Sequence, residues 1–176
     1  MKITINNGGY KRHEELLKTR LEERIPVEYE DGGMNISLVI DESIESEESY
    51  EIKYEENKWS IIGSDKLGLS FGIGKFLHSA KWTDKDFSPQ KTDKLMIPDC
   101  SFRMIYASAH FSNFYMQAPD EEISRYIEDL MLYGYNTVLG LLPAPSPVFK
   151  DNGKTEKPAE RAMKYLKHAK ELGLRI

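Results

Sequence analysis

One stretch constrains the fold more than any other: residues 101–115, SFRMIYASAHFSNFY. It opens with an apolar run that Arg103 alone interrupts, and this run predicts a buried strand over residues 102–107. A polar tip follows, and Ala118-Pro119 then begins a helix whose first turn holds three acids. Proline and acids both favour a helix start, since acids stabilise the positive end of the helix dipole. A buried strand that ends in polar groups and leads into a helix is typical of a (β/α) barrel or an open α/β sheet.

From residue 98 onwards, strand and helix patterns alternate. Helices are predicted over residues 119–133 and 157–172, each with apolar residues three and four positions apart. A second buried strand is predicted over residues 136–142, and Leu174 begins another. Such alternation favours parallel strands joined by right-handed crossovers. The sequence therefore predicts an α/β fold in which residues 98–176 form the opening β/α units of a truncated TIM-type barrel.

The residues before this region follow a different pattern. Apolar spacing and turn signals predict two helices and four strands, at residues 2–5 (strand), 10–25 (helix), 35–41 (strand), 50–62 (hairpin) and 65–77 (helix). We predict that residues 1–97 form a small non-catalytic α+β domain, with one sheet covered on one face by both helices. The glycines of the second helix, Gly68, Gly72 and Gly74, would let it approach the sheet closely. Residues 84–98 are polar and bounded by proline, which predicts a linker.

Charge and composition limit the classes of partner that the chain is expected to bind. The 176 residues carry a net charge of −5, with 40% hydrophobic and 30% charged residues, which is typical of a soluble globular chain. No basic run is present, so neither nucleic acid nor an anionic membrane is the expected partner. No apolar run approaches the roughly 20 residues that cross a bilayer. The first residues lack the apolar segment of a signal peptide, which predicts a cytoplasmic protein, or an extracytoplasmic one if Met1 is not the natural start.

Most residues that could take part in chemistry are better interpreted as structural. The single cysteine, Cys100, excludes an internal disulfide, and the four histidines show no spacing typical of a metal site. Residues 72–75, GIGK, have the wrong spacing for a phosphate-binding loop and lie within a helical period. Asp65 is expected to cap that helix. We therefore expect neither a metal nor a cofactor.

The polar tip after the strand at residues 102–107 is the candidate site. Barrel enzymes place functional side chains at the carboxyl ends of their strands. His110, Asn113 and Tyr115 occupy that position, with Arg103 lower in the strand, and neighbouring aromatic rings could supply a wall for a sugar ring. A loop folded over the rim, with His110 bonded to backbone, is an equally good interpretation. The adjacent acids at residues 121 and 122 point about 100° apart on a helix, so they are interpreted as helix-start residues rather than a catalytic pair.

The order of these segments resembles a known family. The runs GSDKLGLSFGIGKFLHSAKW, FRMIY…HF and EEISRYIEDLMLYGYNTV, within residues 35–142, are similar to the β-N-acetylhexosaminidases of glycoside hydrolase family 20. In that family a small α/β domain precedes a (β/α)8 barrel, and the α-glucuronidases of family 67 share the arrangement. The resemblance implies that this is the amino-terminal portion of an enzyme that cleaves O-glycosidic bonds.

The chain also departs from the family. Ala109 precedes His110 where the hexosaminidases carry a sugar-holding arginine, and residues 139–145 lack the family's His-x-His-x-x-Asp-type segment. The family's catalytic Asp-Glu pair follows the fourth barrel strand, which this chain does not include. The resemblance therefore implies that no catalytic residue lies in this chain.

Two functions stay open. The first is a fragment of a carbohydrate-active hydrolase, inactive by itself, and the second is a non-catalytic sugar-binding or scaffold protein on the same architecture. A small sugar or oligosaccharide is the expected ligand in both. The predicted strands are apolar on both faces, including Met104, Tyr106 and Leu139, so the isolated chain is expected to cover them by self-association or by packing against residues 1–97.

Overall fold

Strands and helices follow one another through the part of the chain that the structure describes, which confirms the predicted α/β fold class. The computed structural model describes residues 1–108, 114–141 and 158–176. The chain divides into two units, Met1–Asp99 and Cys100–Ile176. Across the described residues, no helix is long and apolar enough to cross a membrane.

The first unit is built around a five-stranded sheet in the order β2-β1-β3-β5-β4. Its strands and helices are β1 (Lys2–Asn6), α1 (Lys11–Glu22), β2 (Glu28–Tyr29), β3 (Met34–Ile40), β4 (Tyr50–Glu55), β5 (Lys58–Gly63), α2 (Lys66–His78), β6 (Lys81–Trp82) and β7 (Phe87–Ser88). The neighbours within β2-β1-β3-β5 are parallel, and β4 is antiparallel to β5. One face of this sheet holds the core, with fully buried side chains at Ile3, Ile36, Leu38, Ile52 and Ile61.

The predicted hairpin at residues 50–62 is confirmed. Glu55 pairs with Lys58, which leaves Glu56 and Asn57 as a two-residue loop. Both loop residues have positive φ, at 50° and 61°. Two positive values in succession are typical of a type I′ turn, whose twist matches that of the flanking strands. The turn therefore sets the register that places Ile52 beside Ile61.

Both helices lie on the same face of this sheet, as predicted, because they contact each other. The ring of His13 in α1 donates from Nε2 to the carbonyl oxygen of Lys66 in α2, at 2.9 Å. Asp65 caps α2 as expected, since its Oδ1 accepts the backbone N–H of Gly68 at 2.8 Å. A Cβ on Gly68 would lie 2.3 Å from the carbonyl oxygen of Ser49, and one on Gly72 would lie 2.7 Å from Cγ2 of Ile61. These two glycines let α2 sit directly on the sheet.

The prediction of a plain linker over residues 84–98 is wrong. Trp82 and Phe87 pair in a small hairpin and their rings stack at 5.0 Å between centroids. Further along, the backbone of Thr92 bonds to Ile52, and Met96 exchanges two backbone bonds with Tyr50. The segment therefore covers the outer edge of β4. Composition could not reveal this pairing, because it joins segments about 40 positions apart: the backbone N–H of Ile52 donates to Oγ1 of Thr92 at 3.0 Å, and the other bonds join backbone groups.

The second unit repeats a β/α order. Its elements are β8 (Met104–Ser108), α3 (Phe114–Gln117), α4 (Asp120–Leu132), β9 (Thr137–Leu141) and α5 (Pro158–Glu171). Strands β8 and β9 are parallel, and a parallel bridge from Thr137 to Arg175 begins the next strand, as predicted. Both long helices match their predicted ranges closely. The short helix α3 was not predicted.

The two faces of the β8–β9 sheet differ in their surroundings. Ile105, Ala107 and Val138 are buried. Gly140 shares the face of Val138, and a Cβ there would lie 3.0 Å from the side chain of Leu166 in α5. The helices therefore cover this face. The opposite face presents exposed apolar side chains at Met104, Tyr106 and Leu139.

Candidate functional site

The carboxyl ends of β8 and β9 lie side by side. The two strands are in register, and their last residues, Ser108 and Leu141, are paired. In β/α units this edge of the sheet carries the binding groups. Of the predicted site residues, His110 and Asn113 lie outside the described residues, so their roles stay predictions. Tyr115 is described.

Tyr115 lies in the short helix α3 and contacts both long helices. Its ring lies 6.1 Å from that of Tyr126 in α4 and 6.3 Å from that of Tyr165 in α5, measured between centroids. Burial, and then the neighbouring hydroxyl of Tyr126, raise the pKa of Tyr115 well above its usual range. A tyrosine phenol is neutral at physiological pH and can both donate and accept a hydrogen bond.

Two further rings beside Tyr115 are open to solvent. Phe114 and Tyr126 meet edge to face at 5.5 Å, and they are 41% and 40% exposed. We call Phe114, Tyr115 and Tyr126 the aromatic ledge. Sequence reasoning missed Tyr126, because its i, i+3 spacing places it in the apolar stripe of α4. No local sequence signal reveals the ledge, because it forms only where rings of α3 contact the ring of Tyr126 in α4.

Arg103 lies at the other end of β8. Its Nε donates to the carbonyl oxygen of Gly134 at 2.5 Å, and its Nη1 donates to that of Cys100. Its backbone N–H donates to Oδ1 of the buried Asn136 at 2.9 Å. The five residues of β8 span about 17 Å at ~3.3 Å each, which exceeds the reach of an arginine side chain. These contacts tie down the start of the strand, and the binding role of Arg103 stays a prediction.

The described acids of the second unit lie on its helices. In α4 they are Asp120, Glu121, Glu122, Glu128 and Asp129, and in α5 they are Glu160 and Glu171. Two of them join the helices: Lys164 lies 3.1 Å from Asp120, and His168 lies 3.0 Å from Glu128. These two side-chain contacts are interpreted as helix-packing contacts. The described parts of β8 and β9 carry no carboxylate at their carboxyl ends.

A metal site requires several His, Cys, Asp or Glu side chains that converge on one point. Within residues 1–108, 114–141 and 158–176, no group of three His, Cys, Asp or Glu side chains could hold one. The GIGK run lies inside α2, where Gly72 packs against the sheet rather than facing a phosphate.

Solved structures resemble this chain, while sequence comparisons give no match. No protein-family model and no curated protein matches the sequence. The family 20 β-N-acetylhexosaminidase from Streptomyces coelicolor matches 99% of this chain with 40% of its own, at a TM-score of 0.63 and 18% identity. A family 138 glycoside hydrolase that targets pectin rhamnogalacturonan II matches 99% of this chain with 30% of its own, at a TM-score of 0.61 and 14% identity.

A third neighbour was solved with a sugar. The family 20 exo-β-N-acetylglucosaminidase from Vibrio harveyi, in complex with N-acetylglucosamine, matches 78% of this chain with 21% of its own, at a TM-score of 0.59 and 17% identity. At these identities the likeness shows the fold alone. The chain has a fold similar to that of family 20 and other glycoside hydrolases, and it spans less than half the length of each of these three proteins. The resemblance to family 67 stays a prediction.

Proposed function

We propose that this chain forms the amino-terminal part of a carbohydrate-active hydrolase that cleaves O-glycosidic bonds. One observation carries the proposal: nearly the whole chain, both units included, matches solved glycoside hydrolases of two families. In the proposal, the first unit is a non-catalytic domain and the second unit supplies the opening strands of a (β/α)8 barrel. The parallel pairing of β8 with β9, and of Thr137 with Arg175, supports that assignment.

The proposed sugar site lies at the carboxyl ends of β8 and β9. Tyr115 contributes a phenol, which can donate to or accept from a sugar hydroxyl. His110 and Asn113 follow β8 directly in the sequence and are proposed to add polar contacts. Hydrolysis needs two carboxylates, one as general acid and the other as base or nucleophile. We propose that both lie outside this chain, since its described acids on the second unit occupy helices.

A specific observation favours a second candidate, a non-catalytic sugar-binding or scaffold protein. The described carboxyl ends of β8 and β9 hold no acid, and two acids of α4, Asp120 and Glu128, contact side chains of α5. A protein on the same fold can keep sugar binding without hydrolysis, because function depends on the site rather than on the fold. The two candidates share the sugar site and differ in the carboxylates.

Ligand binding tests the shared part of both candidates. The purified chain is titrated with N,N′-diacetylchitobiose in ligand-observed NMR, with sucrose as a control solute, and the same samples are assayed for cleavage of chromogenic β-glycosides. We expect saturable binding of the disaccharide without hydrolysis. Absence of binding by a folded chain would overturn the proposal. Hydrolysis would show that the carboxylates lie within these 176 residues.

A further inference from the structure

The apolar pattern of β8 and β9 does not by itself select the register in which the two strands pair. Ile105 and Val138 are buried on one face of the pair, and Met104 and Leu139 are apolar as well on the other. A pattern specifies register strongly where a slip would move apolar side chains from a buried face into water. Here a slip of two residues keeps every side chain on its face and again sets apolar residues opposite one another. Another feature must therefore select the observed register.

A buried amide joins the amino ends of the two strands. Asn136 directly precedes β9, and its side chain is fully buried. Its Oδ1 accepts the backbone N–H of Arg103 at 2.9 Å and the hydroxyl of Thr137 at 3.0 Å. Its Nδ2 donates to the carbonyl oxygen of Ser101 at 2.8 Å. An amide oxygen has two lone pairs, so both acceptor positions of this side chain are in use.

The guanidinium of Arg103 bonds to the same two segments. It donates to the carbonyl oxygen of Gly134, in the turn before β9, and to that of Cys100, in the segment before β8. The backbone N–H of Asn136 donates in turn to the carbonyl oxygen of Arg103 at 2.9 Å. We call Arg103 and Asn136 the register clamp, because these contacts join the residues before β8 to the residues before β9.

The clamp distinguishes the observed register from a shifted one. A slip of two residues moves one strand about 6.6 Å along the other, at ~3.3 Å per residue. The N–H of Arg103 and the Oδ1 of Asn136, now 2.9 Å apart, would lose contact. A buried donor or acceptor without a partner costs more free energy than a satisfied hydrogen bond contributes. A shifted register therefore carries a penalty at the clamp that it does not carry at the apolar side chains.

We infer that Arg103 and Asn136 are positioning residues that set the register of β8 against β9, and with it the arrangement of the carboxyl ends of both strands. The consequence for binding rests on the proposed function, because the proposed sugar site lies at those ends. The five residues of β8 put about 17 Å between the clamp and that site, at ~3.3 Å each. The clamp therefore acts on a ligand through the strands, and this role of Arg103 requires no contact with a sugar.

Pairs of introduced cysteines report the register. Residues that are directly paired on neighbouring strands lie ~4.8 Å apart, within the Cα range for a disulfide, whereas residues displaced by two positions lie about 8 Å apart, outside it. In a Cys100→Ser chain, Tyr106→Cys with Leu139→Cys matches the observed register, and Met104→Cys with Leu139→Cys matches a shifted one. After mild oxidation, electrophoresis separates cross-links within one chain from cross-links between chains.

Asn136→Ala is made in both cysteine pairs. Tyr133→Ala, which removes a 71% exposed side chain from the turn between α4 and β9, is the matched control. We expect the ratio of matched to shifted cross-link to fall about tenfold in Asn136→Ala and to stay within about twofold in Tyr133→Ala.

A second variant covers the case in which Asn136→Ala does not fold. Arg103→Gln removes the guanidinium and leaves the amide of Asn136 in place, and it should lower the cross-link ratio about threefold. An unchanged ratio in folded Asn136→Ala would overturn the inference. If that variant does not fold, an unchanged ratio in Arg103→Gln would overturn it.

Sugar binding gives a readout that lost stability alone would not move. Folded Asn136→Ala should bind N,N′-diacetylchitobiose about fivefold more weakly than the parent. Oxidation of Tyr106→Cys with Leu139→Cys should restore the affinity, because the disulfide locks the observed register. A variant with a shifted register and parental affinity would overturn the positioning role. A parent that binds no sugar would overturn the proposed function, while the cross-link ratios would still decide whether the clamp sets the register.

Discussion

The two units differ in the side chains on the sheet face that lies opposite their helices. In the first, helices cover one sheet face, and the other face carries polar side chains such as Asn35, Glu51 and Lys53, the last two forming an ion pair at 3.0 Å. Residues 92–96 cover the edge of β4. In the second, helices also cover one face, but the other presents Met104, Tyr106 and Leu139.

The difference lies in the side chains on the sheet face that the helices do not cover. A sheet face with charged side chains is stable in water, whereas a face with large apolar side chains is typical of a sheet that is covered on both sides. The first unit is therefore complete as a layer of sheet and helices. Among its described residues, the second unit has one sheet face that packs against α5 and one face with partly exposed apolar side chains.

The largest expected effect tests the tight packing of the first unit. Gly68→Ala places a Cβ 2.3 Å from the carbonyl oxygen of Ser49, so α2 or the backbone just before β4 must shift. We expect a loss of about 3 kcal/mol in the free energy of unfolding, measured by urea denaturation followed by circular dichroism. Lys75→Ala, an exposed position of the same helix, is the control and should change stability little. Equal stability of the two variants would show that α2 does not rest on this backbone.

A second test concerns the open face of the second unit. We expect the purified chain to associate, so that its sedimentation mass exceeds 20.3 kDa as concentration is raised. Leu139→Lys should shift the equilibrium towards the monomer, because a charge on the apolar face opposes its burial. Val39→Lys is the matched control, since Val39 is similarly exposed on the open face of the first sheet. A parent that stays monomeric and binds no hydrophobic dye would contradict the comparison between the faces.

The third test concerns the predicted role of His110, in the second unit, in binding sugar. His110→Ala should weaken binding of N,N′-diacetylchitobiose about tenfold through loss of a hydrogen bond, with little change in stability. His78→Ala removes an exposed imidazole from the first unit and should leave binding unchanged. Titration calorimetry and thermal melts report the two quantities. If His110→Ala unfolds the chain while its folded fraction binds normally, the histidine is structural.

The smallest effect concerns pH and the helix contact of the first unit. Burial lowers the pKa of His13 in the fold, against the opposing effect of its bond to Lys66. The unfolded chain therefore binds a proton more readily, so stability is full above the unfolded value near 6.5 and falls as pH drops below it. We expect a loss of about 1 kcal/mol between pH 7.5 and 5.5. His13→Gln should flatten this dependence in urea titrations, and an unchanged slope would assign it to other groups.

Periodicity alone predicted most of the helices and strands. The alternation of Tyr50, Ile52 and Tyr54 with charged residues predicted a half-buried strand, and Ile52 is buried as that pattern requires. Asp65 capped α2 as expected, and Gly68 and Gly72 lie against the sheet. These features depend on neighbours within one or two turns of the chain, so local sequence is enough to determine them.

Other features depend on which segments meet in space. The pairing of Met96 with Tyr50 joins backbone groups 46 positions apart, and backbone groups carry no residue code. Likewise, Arg103 reads as a binding residue in the sequence, yet the turn at Gly134 brings a carbonyl oxygen to its guanidinium.

The amino-acid sequence by itself determined the α/β class, the hairpin and the apolar stripes of both unit cores, because propensity and periodicity act over a few residues. The tertiary structure decided that residues 92–96 close a sheet edge, that Met104, Tyr106 and Leu139 share an exposed face, and that the ring of Tyr126 contacts that of Phe114. Exposure and ring contact at these positions arise from long-range packing, which no window of sequence contains.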